Sequence, residues 1–212
     1  MVAWLCDFDG TVSPGDIGAA FVERFSPGGE AARVPELAEW FAGRCGHRKV
    51  TRAQYGLVQV RRDEALAFTR SFALDPAFAP FARAVRDRGD VVMVVSEGFD
   101  FYVCDLLERE GLGALPWAAN HLRFEPDGSV TPEFPFADPA CDDCGNCKAG
   151  HVRRYQALGH RVVLVGDGGS DRHGALAADD VLARGGLLEW CRANGIAATP
   201  FHDFRDVAAV AR

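Results

Sequence analysis

Four aspartates, one serine and one lysine stand where they could do chemistry together. Asp7 and Asp9 sit in Asp7-Phe8-Asp9-Gly10-Thr11, and Asp167 and Asp171 bracket Gly168-Gly169-Ser170. Each pair follows an apolar run, Val2 to Cys6 and Val162 to Val165. Carboxylates brought to one place repel one another unless a cation lies among them, and hard carboxylate oxygens suit magnesium. Ser96 follows a third apolar run, Val91 to Val95, and Lys148 opens a helical pattern. They supply a hydroxyl donor and a fixed positive charge, the complement of a doubly charged phosphate. Each piece alone has a plainer reading. Asp-Gly is a common turn, a glycine-rich stretch is often only a turn, and a single serine or lysine is usually structural or solvated.

The elements that would position these residues follow from the pattern around them. Three short apolar runs, each leading into a polar cluster, predict buried parallel strands, and helical patterns lie between them, with Phe78, Phe81, Ala82 and Val85 on one face and Phe99, Tyr102, Val103, Leu106 and Leu107 on another. The expected fold is α/β: a Rossmann-like parallel sheet with helices on both faces and ligands bound at the carboxyl ends of the strands. From about Ile17 to about Asp75 there are only amphipathic helical patterns, Ile17 to Phe25, Pro35 to Phe41 and Arg52 to Phe72. These predict a small helical cap domain (17–75) inserted after the first strand of a core formed by 1–16 and 76–212. Leu122 to Phe124 and Val130 flank Pro126-Asp127-Gly128, a hairpin signal.

Bulk properties narrow the function classes. With 23 Lys+Arg against 30 Asp+Glu the net charge is −7, and there is no basic run to bind nucleic acid, so a small-molecule partner is expected. No stretch approaches the roughly 18 apolar residues of a membrane span, and the first residues lack a basic segment or cleavage signal, so the expected location is cytoplasmic. Oligomeric state is not legible. Of seven cysteines, Cys6, Cys45, Cys104 and Cys191 stand apart and read as small buried hydrophobes in a reducing compartment. Cys141, Cys144 and Cys147 are spaced like metal ligands, with His151 four residues on. A loop of free thiols that positions Lys148 is the simpler reading, with structural zinc as the alternative. His47, His121, His160, His173 and His202 are scattered and carry no assigned role, although His173 follows the last acidic cluster closely.

In this order the four elements resemble the haloacid dehalogenase superfamily, from Asp7 to beyond Asp171. The resemblance implies Asp7 as nucleophile, Asp9 as general acid and base, and Ser96 and Lys148 as phosphate-binding catalytic residues. It implies a Mg2+ ion held by Asp7, the Asp9 carbonyl and Asp167, with Asp171 behind them. Thr11 and Gly98 are expected near the phosphate, and Asp16 and Glu97 near the organic part of a small phosphate ester; Asp16 is equally a helix N-cap. Relatives that release halide lack the second aspartate and the ion pumps carry threonine there, so Asp9 implies a phosphatase. Ser96 to Val103, Asn120, Cys144 to Lys148 and Val181 to Cys191 resemble the branch that contains 2-hydroxy-3-keto-5-methylthiopentenyl-1-phosphate phosphatase of methionine salvage, related to phosphoserine and phosphocholine phosphatases. Glu97 departs from that branch, where glycine is expected. Transfer of the phosphoryl group to an acceptor other than water, or a binding protein that keeps the fold without turnover, are the alternatives.

Overall fold

The apolar run at the start of the chain forms strand β1 (Val2–Cys6) in the computed structural model, which describes residues 1–211. It pairs in parallel with β2 (Val91–Phe99) on one side and β5 (Arg161–Gly166) on the other, with Cys6 opposite both Val94 and Val165. Beyond β5 come β6 (Asp180–Ala183) and β7 (Thr199–Pro200), and beyond β2 comes β3 (Trp117–Phe124), all parallel. A fourth strand on that side, β4 (Val130–Glu133), returns antiparallel to β3 through the expected hairpin, giving the order β4-β3-β2-β1-β5-β6-β7.

Why β1 is apolar throughout follows from its period of two. Trp4 and Cys6 face one layer, with Phe78, Phe81 and Val85 of α5 (Phe78–Asp87), residues of α6 (Asp100–Arg109) and Phe204 and Val207 of α10 (Phe204–Val210). Ala3 and Leu5 face the other, with Val152 of α7 (Lys148–Ala157), Ala175 of α8 (Arg172–Ala177) and Leu187 and Cys191 of α9 (Gly185–Ala193). Both faces are therefore covered, as parallel sheets require.

Between β1 and α5 the chain is helical: α1 (Ile17–Phe25), a 3-10 segment (Pro27–Arg33), α2 (Pro35–Phe41), α3 (His47–Tyr55) and α4 (Arg62–Thr69). The helix expected over Arg52 to Phe72 is two helices. Val58 and Val60 are buried, and the backbone between them leaves the helix to bond outward, Gln59 N to the Phe25 carbonyl and Val60 N to the Gly128 carbonyl at the hairpin turn. Tertiary bonding here overrides a periodicity that reads as continuous. Phe21, Tyr55 and Ala65 belong to the same apolar cluster as Phe99 and Tyr102, so the helical segment packs directly on the sheet layer. Two further strands, β6 and β7, and the early start of β3 at Trp117 are not visible as patterns because they are only partly apolar or very short. Cys6 and Cys191 are buried as expected, whereas Cys45 and Cys104 are half-buried.

Asp75 joins three segments at the end of the helical insertion. Its carboxylate accepts from Ala77 N at 2.8 Å and Phe204 N at 3.1 Å, while its own N–H donates to the Val12 carbonyl. The group is buried, and hydrogen bonds to a buried charge are worth more than neutral ones. Replacing Asp75 by Ala is expected to lower unfolding stability by about 3 kcal/mol, read as a shift in the urea midpoint at unchanged slope.

Candidate active site

Asp7 extends the ladder of β1 by one bond, donating its N–H to the Val165 carbonyl, so its side chain stands at the carboxyl edge between β1 and β5. The chain then turns tightly: Val12 N bonds the Asp7 carbonyl and Ser13 N the Phe8 carbonyl, while Phe8 itself is fully buried. Gly10 sits at φ 77°, and a Cβ there would fall on the Asp167 carboxylate, so glycine is needed twice over. Arg184, which sequence reading overlooked, donates to the Gly10 carbonyl and to the His202 carbonyl, fixing the turn from outside.

Lys148 is the first residue of α7 and is buried. Its Nζ lies 2.6 Å from Asp7 Oδ1 and 2.5 Å from Asp171 Oδ1. Burial works against the ammonium, but the charges of Asp171 and Asp7 outweigh it and the Lys148 pKa rises. The other Asp171 oxygen accepts from Asp167 N at 3.1 Å and Gly168 N at 3.0 Å. Asp171 is thus engaged on both oxygens and holds the Asp167 turn and Lys148 in place. Asp167 Oδ1 accepts from the Thr11 hydroxyl at 2.7 Å. Thr11 is fully buried and its hydroxyl is engaged by Asp167, which it orients.

Ligand oxygens of Asp7, Asp167 and Asp171 lie within 4.8 Å of one another. Burial, and then the Asp171 charge, push the Asp7 carboxyl well above its ordinary range despite Lys148, and burial also raises Asp167. One ammonium does not balance three close carboxylates. The all-oxygen donor set and this shortage of positive charge fit a hard divalent cation such as Mg2+.

Asp9 lies beside this cluster. Its Oδ2 accepts from the Tyr102 hydroxyl at 2.7 Å and its Oδ1 from Ile17 N at 2.9 Å. Burial, with the Asp16 charge second, pushes its pKa up to about 7. Ser96 Oγ stands 3.4 Å from Asp9 Oδ2 and accepts from Gly98 N at 2.9 Å. Ser96, Glu97 and Gly98 continue β2 past the expected end at Val95, with a register shift against β3. A side chain at Gly98 would overlap the Tyr102 hydroxyl and crowd Asp9. Sequence reading placed Tyr102 on a packing face, which its ring satisfies; the hydroxyl at its tip leaves no trace in periodicity.

Above these groups is a cavity of about 330 Å³. Asp7, Asp9, Ser96, Gly98 and Asp167 line its floor, and Trp40, Phe41, Tyr55, Asp16, His47 and Glu97 line its sides. Asp16 caps α1 through Ala19 N at 2.8 Å, the helix N-cap of its two expected roles, and also lines the cavity. Glu97 is buried, with Oε2 accepting from Gly145 N at 3.0 Å and lying 3.1 Å from His47 Nδ1. It ties α3 to the loop before Lys148 as well as facing the cavity. Behind it, Asn120 Nδ2 donates to the Glu97 carbonyl, and Asn146 Nδ2 donates to the Ser96 and Ala118 carbonyls. His151 Nε2 is 2.7 Å from Asn146 Oδ1, which occupies the ring that metal spacing had suggested as a ligand.

Comparison with known proteins identifies the family and the fold. The sequence model of one family, haloacid dehalogenase-like hydrolase, matches residues 4–175. Proteins named 2-hydroxy-3-keto-5-methylthiopentenyl-1-phosphate phosphatase are similar: that of Brevibacillus brevis is 30% identical over 208 residues, covering 97% of this chain and 92% of its own. The Exiguobacterium sp. protein of that name is 31% identical over 215 residues, covering 97% and 94%. Among solved structures, a phospho-aspartyl intermediate analogue of phosphoserine phosphatase superposes with a TM-score of 0.73 at 21% identity, covering 99% of this chain and 98% of that one.

The His151 ring that steadies Asn146 makes folding pH-dependent. Burial, with Arg154 and Lys148 adding to it, lowers its pKa from 6.5 to about 4. As pH falls the unfolded chain takes this proton first, so stability is full above pH 6.5 and is lost progressively toward pH 4. The loss from this one group is on the order of 3 kcal/mol. His151→Gln, which can still donate to Asn146 without titrating, is expected to flatten the stability slope in that window, measured by urea unfolding at stepped pH.

Proposed function

The chain belongs to the haloacid dehalogenase-like hydrolases, and on that premise we propose that it is a magnesium-dependent phosphatase that passes the phosphoryl group of a small phosphate monoester through Asp7 to water. The observation that carries the reading is the meeting of Asp7, Asp9, Ser96 and Asp167 on the floor of one cavity, with Lys148 bonded to Asp7 beneath it. Asp7, the Asp9 carbonyl and Asp167 would hold the magnesium, with Asp171 behind them. When bound, the ion supplies positive charge to the phosphate and to the carboxylates around it.

The protein's own groups divide the work by position. Lys148 holds one oxygen of Asp7, which leaves the other to attack phosphorus, forming an acyl phosphate as the ester P–O bond breaks. The electron pair leaves with the organic oxygen, and Asp9, kept near neutral pKa by burial and oriented by Tyr102, gives it a proton. Asp9 then accepts a proton from the water that attacks the same phosphorus, and Asp7 is released as carboxylate. Ser96 and Gly98 lie against Asp9 at the cavity floor, where a hydroxyl and a bare backbone leave room for phosphate oxygens. Most of the acceleration in such a site comes from positioning and charge, since the phosphoryl group needs little else.

The helical segment 17–75 acts in this reading as the cap that shapes the organic subsite. It contributes Trp40, Phe41 and Tyr55 to the cavity walls, an apolar surface interrupted by Asp16 and His47. Relatives near 30% identity carry the name of the methionine-salvage enol-phosphate phosphatase, which makes that ester the first substrate to try. Glu97 is the residue that would set this chain apart from them.

Phosphate release is expected from at least one member of a panel holding that enol phosphate, phosphoserine and phosphocholine, with magnesium and not with EDTA. Asp7→Asn abolishes it and prevents acid-stable trapping of a phosphorylated chain. Asp9→Asn lowers kcat by about 10²- to 10⁴-fold and leaves more trapped phospho-enzyme per turnover. Turnover that persists in Asp7→Asn would remove the covalent step.

A further inference from the structure

The three clustered cysteines and His173 are not used by the chemistry above, and they come together in the fold. Cys144 Sγ is 3.1 Å from His173 Nδ1, and ligand atoms of Cys141, Cys144 and His173 lie within 4.8 Å of one another. These residues arrive from separate places: the cysteines from the loop before α7, His173 from α8, just after the Asp167–Asp171 turn. Among the described residues it is one of two clusters with ligand geometry, and its donors are of the opposite kind. The carboxylate cluster is all hard oxygen; this one is two sulfurs and an imidazole nitrogen, a set suited to zinc and poor for magnesium.

The surroundings are those of a supported ligand set. Histidines that bind metal through one ring nitrogen commonly have the other facing a carboxylate. Here Nδ1 faces Cys144 and Nε2 lies 3.6 Å from Asp143 Oδ2. Asp143 is itself fixed, its Oδ1 accepting from His47 N at 2.8 Å and its carbonyl from Arg48 N at 3.0 Å, both at the start of α3. Cys144 is buried, and the loop after it is held by the Gly145 N bond to Glu97. The sequence pattern alone nominates the wrong histidine: His151 is bonded to Asn146, while His173, remote in sequence, takes the place beside the thiols.

We propose that Cys141, Cys144 and His173 form a zinc site, with water as the fourth ligand. Binding releases one proton from each of the two thiols, the imidazole being bound neutral. The site has a structural consequence that does not depend on the phosphatase reading. Cys144 lies four residues before Lys148 and His173 two residues after Asp171, so the ion would clip together the two segments whose side chains meet in the Lys148–Asp171 bond. Through Asp143 the same clip reaches α3 and the cavity wall.

The test uses the full chain purified with thiols reduced and without chelator. Elemental analysis is expected to find about one zinc per chain in magnesium-containing buffer. Cobalt added to zinc-stripped protein should give thiolate-to-cobalt charge-transfer absorption and the strong visible bands of a tetrahedral site. Cys144→Ser and His173→Asn each abolish the stoichiometric zinc, Asp143→Asn weakens it by about tenfold, and Cys104→Ser, on α6, retains it. Should the ligand variants fail to fold, alkylation of the wild-type protein decides: zinc protects Cys141 and Cys144 from a thiol reagent and leaves Cys104 reactive. No zinc as purified together with no cobalt–thiolate band overturns the proposal, as does zinc retained in folded Cys144→Ser and His173→Asn, or equal reactivity of Cys141 and Cys144 with and without zinc.

Discussion

A buried ammonium between two carboxylates organises the carboxyl edge of this sheet. Lys148 is almost wholly removed from water, a position that a charged group holds only when it is paired and fully hydrogen-bonded. Asp7 comes from the end of β1, Asp171 from the turn after β5 and Lys148 from the head of α7, so three segments must close on one point for the charge to be accommodated. Breaking such a pair by removing one partner leaves an uncompensated charge, typically a loss of about 3 to 5 kcal/mol. The two glycines that admit this closure follow from it. Gly10 leaves space for Asp167, and Gly166 leaves space for Asp171, each where a side chain would collide with the carboxylate.

The same interaction leaves a deficit. Asp7 is raised in pKa even with Lys148 against it, because burial and Asp171 together exceed the lysine's help. Lys148 in turn is firmly charged. The two shifts are consistent if the site is built for more positive charge than the chain supplies. A divalent cation would relieve the carboxylates without displacing the lysine, since Asp171 already has both oxygens engaged and Asp7 and Asp167 do not.

How much of this could be seen in the sequence depends on what each residue's pattern reports. Val2 to Cys6, Val91 to Val95 and Val162 to Val165 read as strands because burial on both faces forces every position apolar. That reading also located Asp7, Ser96 and Asp167, since a polar residue ending such a run sits at the sheet edge. β6 and the edge strand β7 are short, with few positions to form a pattern. The break between α3 and α4 was hidden because its cause, bonding to Phe25 and Gly128, lies far away in the chain. Thr11, Tyr102, Arg184 and His173 share that property: each acts through a polar atom whose partner is set by tertiary structure. Periodicity reports which side is buried and is silent on what a hydroxyl or ring nitrogen meets there.

Glu97 links the cavity wall to the loop before Lys148. It follows Ser96 in the chain and lines the same cavity as Asp7, Asp9 and Ser96. Its Oε2 is engaged by Gly145 N and faces the His47 ring, while its Oε1 has no hydrogen-bond partner among the described residues. The residue therefore joins α3 of the helical insertion, the loop that leads to Lys148 and the end of β2 in a single contact set. Glycine at this position would provide none of these links. A chain with glycine there would leave α3 free of the Lys148 loop at this point, whereas here the wall of the cavity and the lysine that steadies Asp7 are mechanically connected. The shape of this cavity wall and the placement of the Lys148 charge are thus set together.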